Sequence, residues 1–512
     1  MRYGFVIDNR KCIGCHACTT ACKSENEVPL GVFRTWVKYT EKGEFPNVRR
    51  NFNVLRCNHC EDAPCVTVCP TKALFKRPDG IVDFDSSRCI GCKSCMQACP
   101  YDAIYIDPFE NTAAKCNYCA HRVDLDLLPA CVVVCPEKAI IAGDMDDPFS
   151  DISHLLATEN VVTRKPEQGT KPKLFYIDSD DSSLVPEVQT RNTRYLWSEV
   201  RDDGRPAEAV TASVSRDAPA PTNLVYDVHH PKPWGWKVST YLWTKSIGSG
   251  AVLLAALLLL FGWAHNHATF DIAAPIVGLL FIGLTTFLLV VDLKRPERFW
   301  FLIFLPNPTS WLVWGGYILL VFSGAIFIWL LAALLGLGTV QDVLMGAGIP
   351  LALAAAGYTA FLFAQAEGRD FWQSRLLLPH LIAQAVIAGA AALMLVGISA
   401  GATEHELRVL TGVLAGGLIA FAIILAAELG MPHSQNLHVS KTVGLLTRGP
   451  YRGMLLFTVI FIGIVVPLAL ALLTWQSSYV IFPASFGAGA ALAGLWAYEM
   501  IWVSAGQDIP LS

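Results

Sequence analysis

Residues 12–23 read CIGCHACTTACK, and their four cysteines follow the spacing C-x-x-C-x-x-C-x-x-x-C. Related runs of four cysteines occur at 57–69, 89–99 and 116–135, and each of these three is followed by proline. In such runs three thiolates bind one iron–sulfur cubane, and the cysteine before the proline reaches a neighbouring cluster. Short strand-like pieces such as GIVDFD (80–85) separate the runs, so we predict two ferredoxin-like modules of two clusters each.

The four runs use every cysteine of the chain. The predicted cluster ligands are Cys12, Cys15, Cys18, Cys22, Cys57, Cys60, Cys65, Cys69, Cys89, Cys92, Cys95, Cys99, Cys116, Cys119, Cys131 and Cys135. Structural zinc usually takes two separated C-x-x-C pairs, and disulfides would need an oxidising compartment, for which no secretory signal precedes the first run. CIGCH also matches the motif for covalent haem attachment, but that interpretation leaves Cys18 and Cys22 without a role. Iron–sulfur ligation is the prediction, with zinc and disulfides as the weaker alternatives.

Composition divides the 512-residue chain into two parts. It is 53% hydrophobic and only 16% charged, and its net charge of −4 gives no reason to expect nucleic acid as a partner. All sixteen cysteines precede residue 136, whereas the long apolar runs all follow residue 245. We therefore predict a cysteine-rich head followed by a membrane domain.

The segment between these parts, residues 147–235, lacks cysteine and is rich in Asp, Ser, Thr and Pro. A flexible linker is one interpretation. The aromatic residues of KPKLFYID (172–179) and TRYLWSEV (193–200) favour an extended segment that contacts a partner or the head. The predicted domains are a four-cluster ferredoxin-like domain at 1–146, this linker or partner-contact segment, and an eight-helix membrane domain at 236–512.

Eight apolar stretches approach or exceed the ~20 residues that a membrane-crossing helix needs. The predicted spans are 246–264, 272–291, 309–335, 344–366, 376–399, 407–428, 453–474 and 479–503. Glycine and alanine are plentiful within them, as close helix packing in lipid requires. The predicted fold class is an α+β double ferredoxin-like head followed by an all-α membrane domain of eight transmembrane helices.

Eight crossings return the chain to the side on which the first span begins, which we call the near side. The far-side loops carry only Arg408. The near-side loops carry Lys294, Arg295, Arg298, Arg369, Arg375, Lys441, Arg448 and Arg452. Because positive loops stay cytoplasmic, we predict a multi-pass protein of a bacterial or archaeal inner membrane with its head in the cytoplasm.

The ionisable residues within or at the ends of the spans are also predicted to lie on one side of the membrane domain. They are Lys245, Asp292, Glu367, Arg375, His380, Glu428 and Glu499, and alternating helix direction puts all of them in the near-side half. Intramembrane ionisable groups are functional candidates, although long side chains at helix ends can also reach the interface. Because the cluster contains both positive and negative residues, a polar pocket is favoured over separate side chains that reach the interface.

Two similar segments follow the second and sixth predicted spans. DLKRPE (292–297) and ELGMPH (428–433) both contain an acid, Leu, two further residues, Pro and an ionisable group. The repeat suggests two four-helix bundles that arose by duplication. Six residues can also coincide by chance.

The ligand predicted for the pocket is a quinone, menaquinone or ubiquinone. Membrane haem needs paired histidines, and His380 is the only histidine well inside a predicted span, so no haem is expected. Arg298 could instead anchor the head. The residues predicted to bind quinone or relay protons are Lys245, Asp292, Arg295, Arg298, Glu367, His380, Glu428 and His433.

Several motifs resemble known families. CNHCEDAPCVTVCPTKAL (57–74) and RCIGCKSCMQACPYDA (88–103) resemble the four-cluster subunit of polysulfide and dimethyl sulfoxide reductase complexes, which are molybdopterin oxidoreductases. YLWTKSIGSGA (241–251), DLKRPERFW (292–300) and SAGQDIPLS (504–512) resemble the NrfD/polysulfide reductase membrane subunit. Those subunits are usually separate chains, whereas here they are fused.

The resemblance implies four 4Fe–4S clusters whose ligands cross between runs. The implied ligand sets are Cys12, Cys15, Cys18 and Cys135; Cys116, Cys119, Cys131 and Cys22; Cys57, Cys60, Cys65 and Cys99; and Cys89, Cys92, Cys95 and Cys69. Some relatives replace a cysteine of the third run and carry a three-iron cluster, but Cys92 is present here. Family members often face the periplasm, which is opposite to the placement that the loop charges predict.

The resemblance also implies a function. The chain would be the electron-transfer and membrane-anchor subunit of a respiratory complex, without activity of its own on the terminal substrate. Electrons would pass between a large molybdopterin catalytic subunit and the membrane quinone pool. The alternatives are a hydrogenase or multihaem cytochrome as partner or, from another class, an ion-translocating transporter subunit.

Overall fold

The computed structural model forms two compact units. Met1–Pro231 and Pro510–Ser512 make up the first, the cysteine unit, and Lys232–Ile509 make up the second, the membrane unit. The structure describes residues 1–44, 46–191, 222–431, 436–476 and 480–512. Two predictions, the role of His433 and the burial of TRYLWSEV (193–200), fall outside these ranges.

The cysteine unit combines twelve short strands with seven short helices within the described ranges. The strands are β1 (Tyr3–Asp8), β2 (Thr35–Glu44), β3 (Asn47–Arg56), β4 (Leu74–Lys76), β5 (Val82–Phe84), β6 (Ile104–Ile106), β7 (Ala113–Lys115), β8 (Ile140–Asp144), β9 (Val161–Val162), β10 (Leu174–Ile177), β11 (Gln189–Arg191) and β12 (Thr222–Tyr226). The helices are α1 (Ala17–Glu25), α2 (Pro64–Val68), α3 (Ser94–Ala98), α4 (Ala120–Val123), α5 (Ala130–Val133), α6 (Asp151–Thr158) and α7 (Asp181–Leu184). Single 3₁₀ turns lie at Pro166–Gln168 and Pro186–Val188.

Four sheets organise these strands. The two larger sheets have the orders β8-β1-β10-β9 and β11-β12-β2-β3, and two hairpins pair β4 with β5 and β6 with β7. Each hairpin lies between two cysteine runs, as the short strand-like pieces predict. The mixed α/β character of the predicted head is therefore confirmed.

The residues that follow the last cysteine contribute strands to both larger sheets. Strand β10 lies parallel to β1, with Phe5 opposite Leu174, and β12 pairs antiparallel with β2. The KPKLFYID stretch is thus an ordered strand of the cysteine unit, because its apolar side chains Leu174, Tyr176 and Ile177 are buried there.

The membrane unit contains eight helices long and apolar enough to cross a bilayer, counted over the described residues. They are span 1 (Trp236–Leu260), span 2 (Ala268–Asp292), span 3 (Trp311–Leu335), span 4 (Gly338–Ala364), span 5 (Leu377–Ser399), span 6 (Glu404–Gly430), span 7 (Met454–Gln476) and span 8 (Ile481–Asp508). The prediction of eight spans is confirmed. Shorter helices are α8 (Phe301–Phe304) and α9 (Leu437–Thr447), with 3₁₀ turns at Pro296–Arg298 and Asp370–Trp372 and π-helical turns at Ala268–Ala273 and Met454–Val465.

The predicted bounds of three spans are wrong by five residues or more. Span 1 begins at residue 236 rather than 246, span 4 begins at 338 rather than 344, and span 8 ends at 508 rather than 503. The first turns of span 1 are rich in polar residues, so a prediction based on apolar residues places the start of the helix too late in the sequence. Thr244 continues the helix because its hydroxyl lies 2.8 Å from that of Thr285 in span 2.

The two halves of the membrane unit share one packing scheme. Span 1 packs against spans 2 and 4, and span 5 packs in the same way against spans 6 and 8. The buried share of the apolar segments also repeats, at 83, 39, 33 and 56% in spans 1–4 and 72, 39, 33 and 56% in spans 5–8. This correspondence supports two four-helix bundles with equivalent helices in equivalent places.

Span 1 and span 5 cross at two glycines. A side chain at Gly250 would overlap the backbone carbonyl of Ala385, and one at Gly389 would overlap the backbone of Gly250. Small residues at a crossing let two helices approach closely in lipid. The two bundles therefore meet through backbone contact at this point.

Candidate functional site

The sixteen cysteines of the cysteine unit form four groups of four. None of them is in a disulfide within the described residues. Cys12, Cys15, Cys18 and Cys135 line one cavity; Cys22, Cys116, Cys119 and Cys131 line another; Cys69, Cys89, Cys92 and Cys95 line a third; and Cys57, Cys60, Cys65 and Cys99 are electrostatic neighbours. Three members of each group come from one run, and the fourth comes from another.

Short helices explain this exchange of ligands. The last two cysteines of each run are four residues apart, so they lie on one face of a helical turn. In α1 those residues are Cys18 and Cys22, and they belong to different groups. The same holds for the pairs at α2, α3 and α5, so each short helix passes between two groups.

Burial makes several of these thiols poor acids without a metal. It raises the pKa of Cys18 to about 11 and that of Cys92 to about 12. Thiolate ligands lose their protons when metal binds, so four buried thiols around one cavity fit a group that supplies its own positive charge. No three His, Cys, Asp or Glu side chains of the described ranges are arranged to hold a single metal ion. The donor set and the cavities fit iron–sulfur clusters.

An acid–base pair with a buried histidine lies in the second bundle. Nδ1 of His380, near the start of span 5, is 3.0 Å from a carboxylate oxygen of Glu428, near the end of span 6. The Ser374 hydroxyl is 3.3 Å from the other oxygen of that carboxylate. The His380 ring stacks on Tyr498 with centroids 5.0 Å apart, and its Nε2 is buried without a partner within the described residues. The pair can exchange a proton and still offer Nε2 to a ligand.

A second group of ionisable residues joins the two bundles. Lys245 is fully buried in span 1, and its ammonium donates to the Ala356 carbonyl at 2.6 Å and to the Thr359 hydroxyl. Glu499 of span 8 is also buried, lies in the electrostatic field of Lys245 and is a hydrogen-bonding neighbour of Gln384. Lys245 therefore lies inside span 1, whereas the predicted span began immediately after it.

The remaining predicted residues within the described ranges lie at or just beyond span ends. Asp292, Arg295 and Arg298 are at the end of span 2 or in the loop that follows it, where Arg295 pairs with Glu297 at 3.2 Å. Glu367 is exposed in the loop after span 4. The structure thus joins His380 directly to Glu428.

Sequence reasoning missed three neighbours of these residues. Tyr498 and Gln384 were not singled out, and Glu499 was identified as an intramembrane acid but left out of the predicted quinone set. Gln384 lies four residues after His380, a spacing that puts both on one helix face. Tyr498 carries no comparable signal, because a tyrosine beside a glutamate is common in helices.

The membrane unit matches a family model. The model described as Polysulphide reductase, NrfD, matches residues 225–510, more than half of the chain. The chain is a member of the NrfD polysulphide reductase family. Two models of the 4Fe-4S dicluster domain match residues 11–74 and 48–145 of this NrfD protein.

Curated relatives match the cysteine unit. A tetrathionate reductase subunit of Salmonella typhimurium is 46% identical over 203 residues, which are 39% of this chain and 81% of the relative. A polysulfide reductase polypeptide of Wolinella succinogenes is 44% identical, over 34% of this chain and 94% of the relative. The arsenate respiratory reductase iron–sulfur subunit of a Shewanella strain is 38% identical, over 35% of this chain and 97% of the relative.

Together, these findings define the protein at a coarse level. It is a multi-pass membrane protein in which an iron–sulfur part like that of reductase subunits is fused to an NrfD membrane part. Electron transfer and membrane anchoring follow from this combination. A catalytic partner is implied because the relatives are subunits of reductase complexes.

Proposed function

We propose that this chain carries electrons through four 4Fe–4S clusters between a large molybdopterin-dependent catalytic subunit and the membrane quinone pool. The observation that carries this proposal is the presence, in one chain, of four groups of four cysteines and an acid–base pair with a buried histidine among apolar spans. The reductase names of the relatives support a catalytic subunit as partner. The menaquinone or ubiquinone would bind in the membrane unit.

Each cysteine group is proposed to hold one cluster. The proposed sets are Cys12, Cys15, Cys18 and Cys135; Cys22, Cys116, Cys119 and Cys131; Cys57, Cys60, Cys65 and Cys99; and Cys69, Cys89, Cys92 and Cys95. The clusters supply one-electron redox chemistry when bound. The protein contributes the thiolates and shields most of them from water.

The proposed quinone site is centred on His380. Quinone reduction consumes two protons as well as two electrons, and an imidazole paired with a carboxylate can relay protons. Nε2 of His380 has no partner among the described residues and would donate to a quinone carbonyl, while Nδ1 exchanges its proton with Glu428. The stacked ring of Tyr498 limits the space around the imidazole, so a planar ligand is favoured.

The test changes the two members of the pair, and its control neutralises a carboxylate at the opposite end of span 6. In the assembled complex, Glu428→Gln and His380→Gln should each lower quinone-linked turnover by about 10²-fold or more, since general acid–base groups contribute at that scale. Glu404→Gln is the control because Glu404 lies on the same helix, with 68% of its side chain exposed. Stopped-flow reoxidation of the clusters by quinone is the measurement, with cluster reduction by the catalytic subunit recorded separately.

Two outcomes separate the parts of this proposal. Slow quinone reoxidation with normal cluster reduction supports the His380 site. Wild-type turnover in both variants would place the quinone elsewhere, and Asp292→Asn would then test the end of span 2.

The proposed orientation places the near side in the cytoplasm, because the near-side loops carry most of the positive charges. A reporter enzyme fused after residue 512 should then be active only in its cytoplasmic form. Periplasmic activity of the fusion would reverse the placement without changing the redox proposal.

A further inference from the structure

Arg56 is a buried charge that the proposed electron path does not yet use. It is the last residue of β3 and immediately precedes Cys57. Its side chain is completely inaccessible to solvent. It lines the same cavity as Cys22, Cys116, Cys119 and Cys131.

The contacts of Arg56 leave its charge incompletely matched. Nη1 lies 3.1 Å from Sγ of Cys131, and the guanidinium lies 4.4 Å from the centre of the Phe5 ring. Nε and Nη2 have no hydrogen-bond partner among the described residues. A buried cation with unpartnered N–H groups is costly unless an anionic group lies beside it. The cavity lined by four cysteines is where such a group would be.

Two other buried cations of the cysteine unit differ from Arg56 in this respect. The ammonium of Lys115 donates to the backbone carbonyl of Cys116 at 3.0 Å, and that of Lys173 donates to the carbonyl of Gly80 at 2.5 Å. These lysines fix the path of the main chain. Arg56 is directed at a sulfur ligand instead.

The charge of Arg56 acts on two cysteine groups. Burial raises the pKa of the thiols of Cys18 and Cys116, and the positive charge of Arg56 is the strongest influence in the opposite direction at both residues. Cys18 belongs to the group of the first run and Cys116 to that of the fourth run. Arg56 therefore lies where two neighbouring groups meet.

We infer that Arg56 is a positioning residue for electron transfer, whose guanidinium donates to the sulfur atoms of the cluster held by Cys22, Cys116, Cys119 and Cys131 and raises its reduction potential. The inference rests on the proposed four-cluster function. An arriving electron adds one negative charge to this site and breaks no bond. Arg56 stabilises that added charge, because potentials of such sites respond to nearby charge and to hydrogen bonds at sulfur.

Asn26 is a second donor to the same group. Its side-chain amide lies 3.6 Å from Sγ of Cys119 and 3.8 Å from Sγ of Cys22. The fourth-run group thus receives N–H donors at three of its four sulfur atoms. Asn26→Leu removes a neutral donor and should lower the potential less than a change at Arg56.

The test is a redox titration of the purified full chain, followed by electron paramagnetic resonance. Arg56→Gln should lower the midpoint potential of the fourth-run cluster by ~59 mV or more, which is a tenfold change in a one-electron equilibrium. Arg56→Lys keeps the charge and should restore part of the loss. Arg164→Gln is the control: Arg164 is also buried with two nitrogens that lack partners among the described residues, but it donates to the Leu511 carbonyl at 2.9 Å and does not line the cavity of the fourth-run group. That control should leave this potential unchanged.

The outcomes distinguish this inference from the function on which it rests. Full iron content with an unchanged potential in Arg56→Gln would overturn the inference and leave the proposed electron path intact. A wild-type chain without the fourth-run cluster would overturn both. If Arg56→Gln loses iron, the smaller downward shifts expected of Arg56→Lys and Asn26→Leu decide, and no shift in either variant would overturn the inference.

Discussion

The cysteine unit and the membrane unit both bury charged groups, but they neutralise them differently. In the membrane unit the protein supplies the partners itself, since His380 lies 3.0 Å from Glu428 and Lys245 donates to backbone and hydroxyl oxygens. In the cysteine unit Arg56 contacts a thiol and retains two nitrogens without partners among the described residues. Those membrane charges have protein partners, whereas Arg56 lies beside the cavity that is proposed to hold a cluster.

This difference indicates what holds each unit together. The cysteine groups lie at the junctions of short strands and helices, so the proposed clusters would cross-link these elements. The membrane unit relies on helix packing at small residues, and its ionisable residues are available for chemistry. The predictions below test this contrast.

The largest expected effect concerns the crossing of spans 1 and 5. Gly250→Val places a branched side chain against the carbonyl of Ala385, and the helices must separate to accept it. We expect a loss of stability of about 3 kcal/mol or more and little folded protein in the membrane. Gly283→Val is the control, because a Cβ at Gly283 in span 2 has no neighbour within 4 Å. Thermal unfolding in detergent measures both, and equal stability would show that packing at this crossing does not hold the bundles together.

The sequence predicted the two units unequally. In the cysteine unit, spacing alone pointed to the sixteen cysteines that the structure gathers into four groups, because cluster binding demands four cysteines at short separations. Arg56 was not foreseen, since an arginine before a cysteine has no special pattern and its role depends on how β3 ends beside Cys131. The spacing of cysteines along the chain predicts the cysteine groups. It does not predict which charged side chains the fold places beside them.

In the membrane unit the ionisable residues were visible but their pairing was not. His380 and Glu428 are 48 residues apart, and only the packing of span 5 on span 6 brings them together. Span 1 began earlier than predicted because Thr244 and Lys245 find polar partners on neighbouring helices. Hydropathy predicts which stretches are apolar enough to face lipid. It does not predict the buried polar contacts between helices, because these depend on how the helices pack.

An intermediate effect is expected from a single ligand. Cys22 lies in the first run, but its neighbours are Cys116 and Cys131 of the fourth run. Cys22→Ser should therefore remove the cluster of the fourth run and lower the iron content from about sixteen to about twelve per chain. The signal that disappears should match the one lost in Cys119→Ser.

The control for this prediction is Thr20→Ala, an exposed change on the same helix. It should keep the full iron content and all electron paramagnetic resonance signals. Loss in Cys22→Ser of the signal that depends on Cys15 would contradict the exchange of ligands between runs.

The smallest effect concerns a charge that the cysteine unit neutralises without a cofactor. His230 is half-buried, with Nδ1 3.0 Å from a carboxylate oxygen of Asp102 and with Asp227 close to its other nitrogen. Burial opposes protonation, but Asp102 and Asp227 outweigh it and raise the pKa of His230, although Lys38 acts against them. This group should therefore behave like the pairs of the membrane unit.

A raised pKa in the folded state fixes the sign of the pH dependence. The stabilisation is complete below the unfolded histidine pKa of about 6.5 and disappears as the pH rises through the folded value. His230→Gln should therefore lower the unfolding temperature of the full chain more at pH ~6 than at pH ~9, with a difference of about 2–4 °C for each 1 kcal/mol lost. His154→Gln, at an exposed histidine of α6, should show no such difference. An equal loss at both pH values would mean that His230 is neutral in the folded protein, and that the cysteine unit contains no self-neutralised charge at this position.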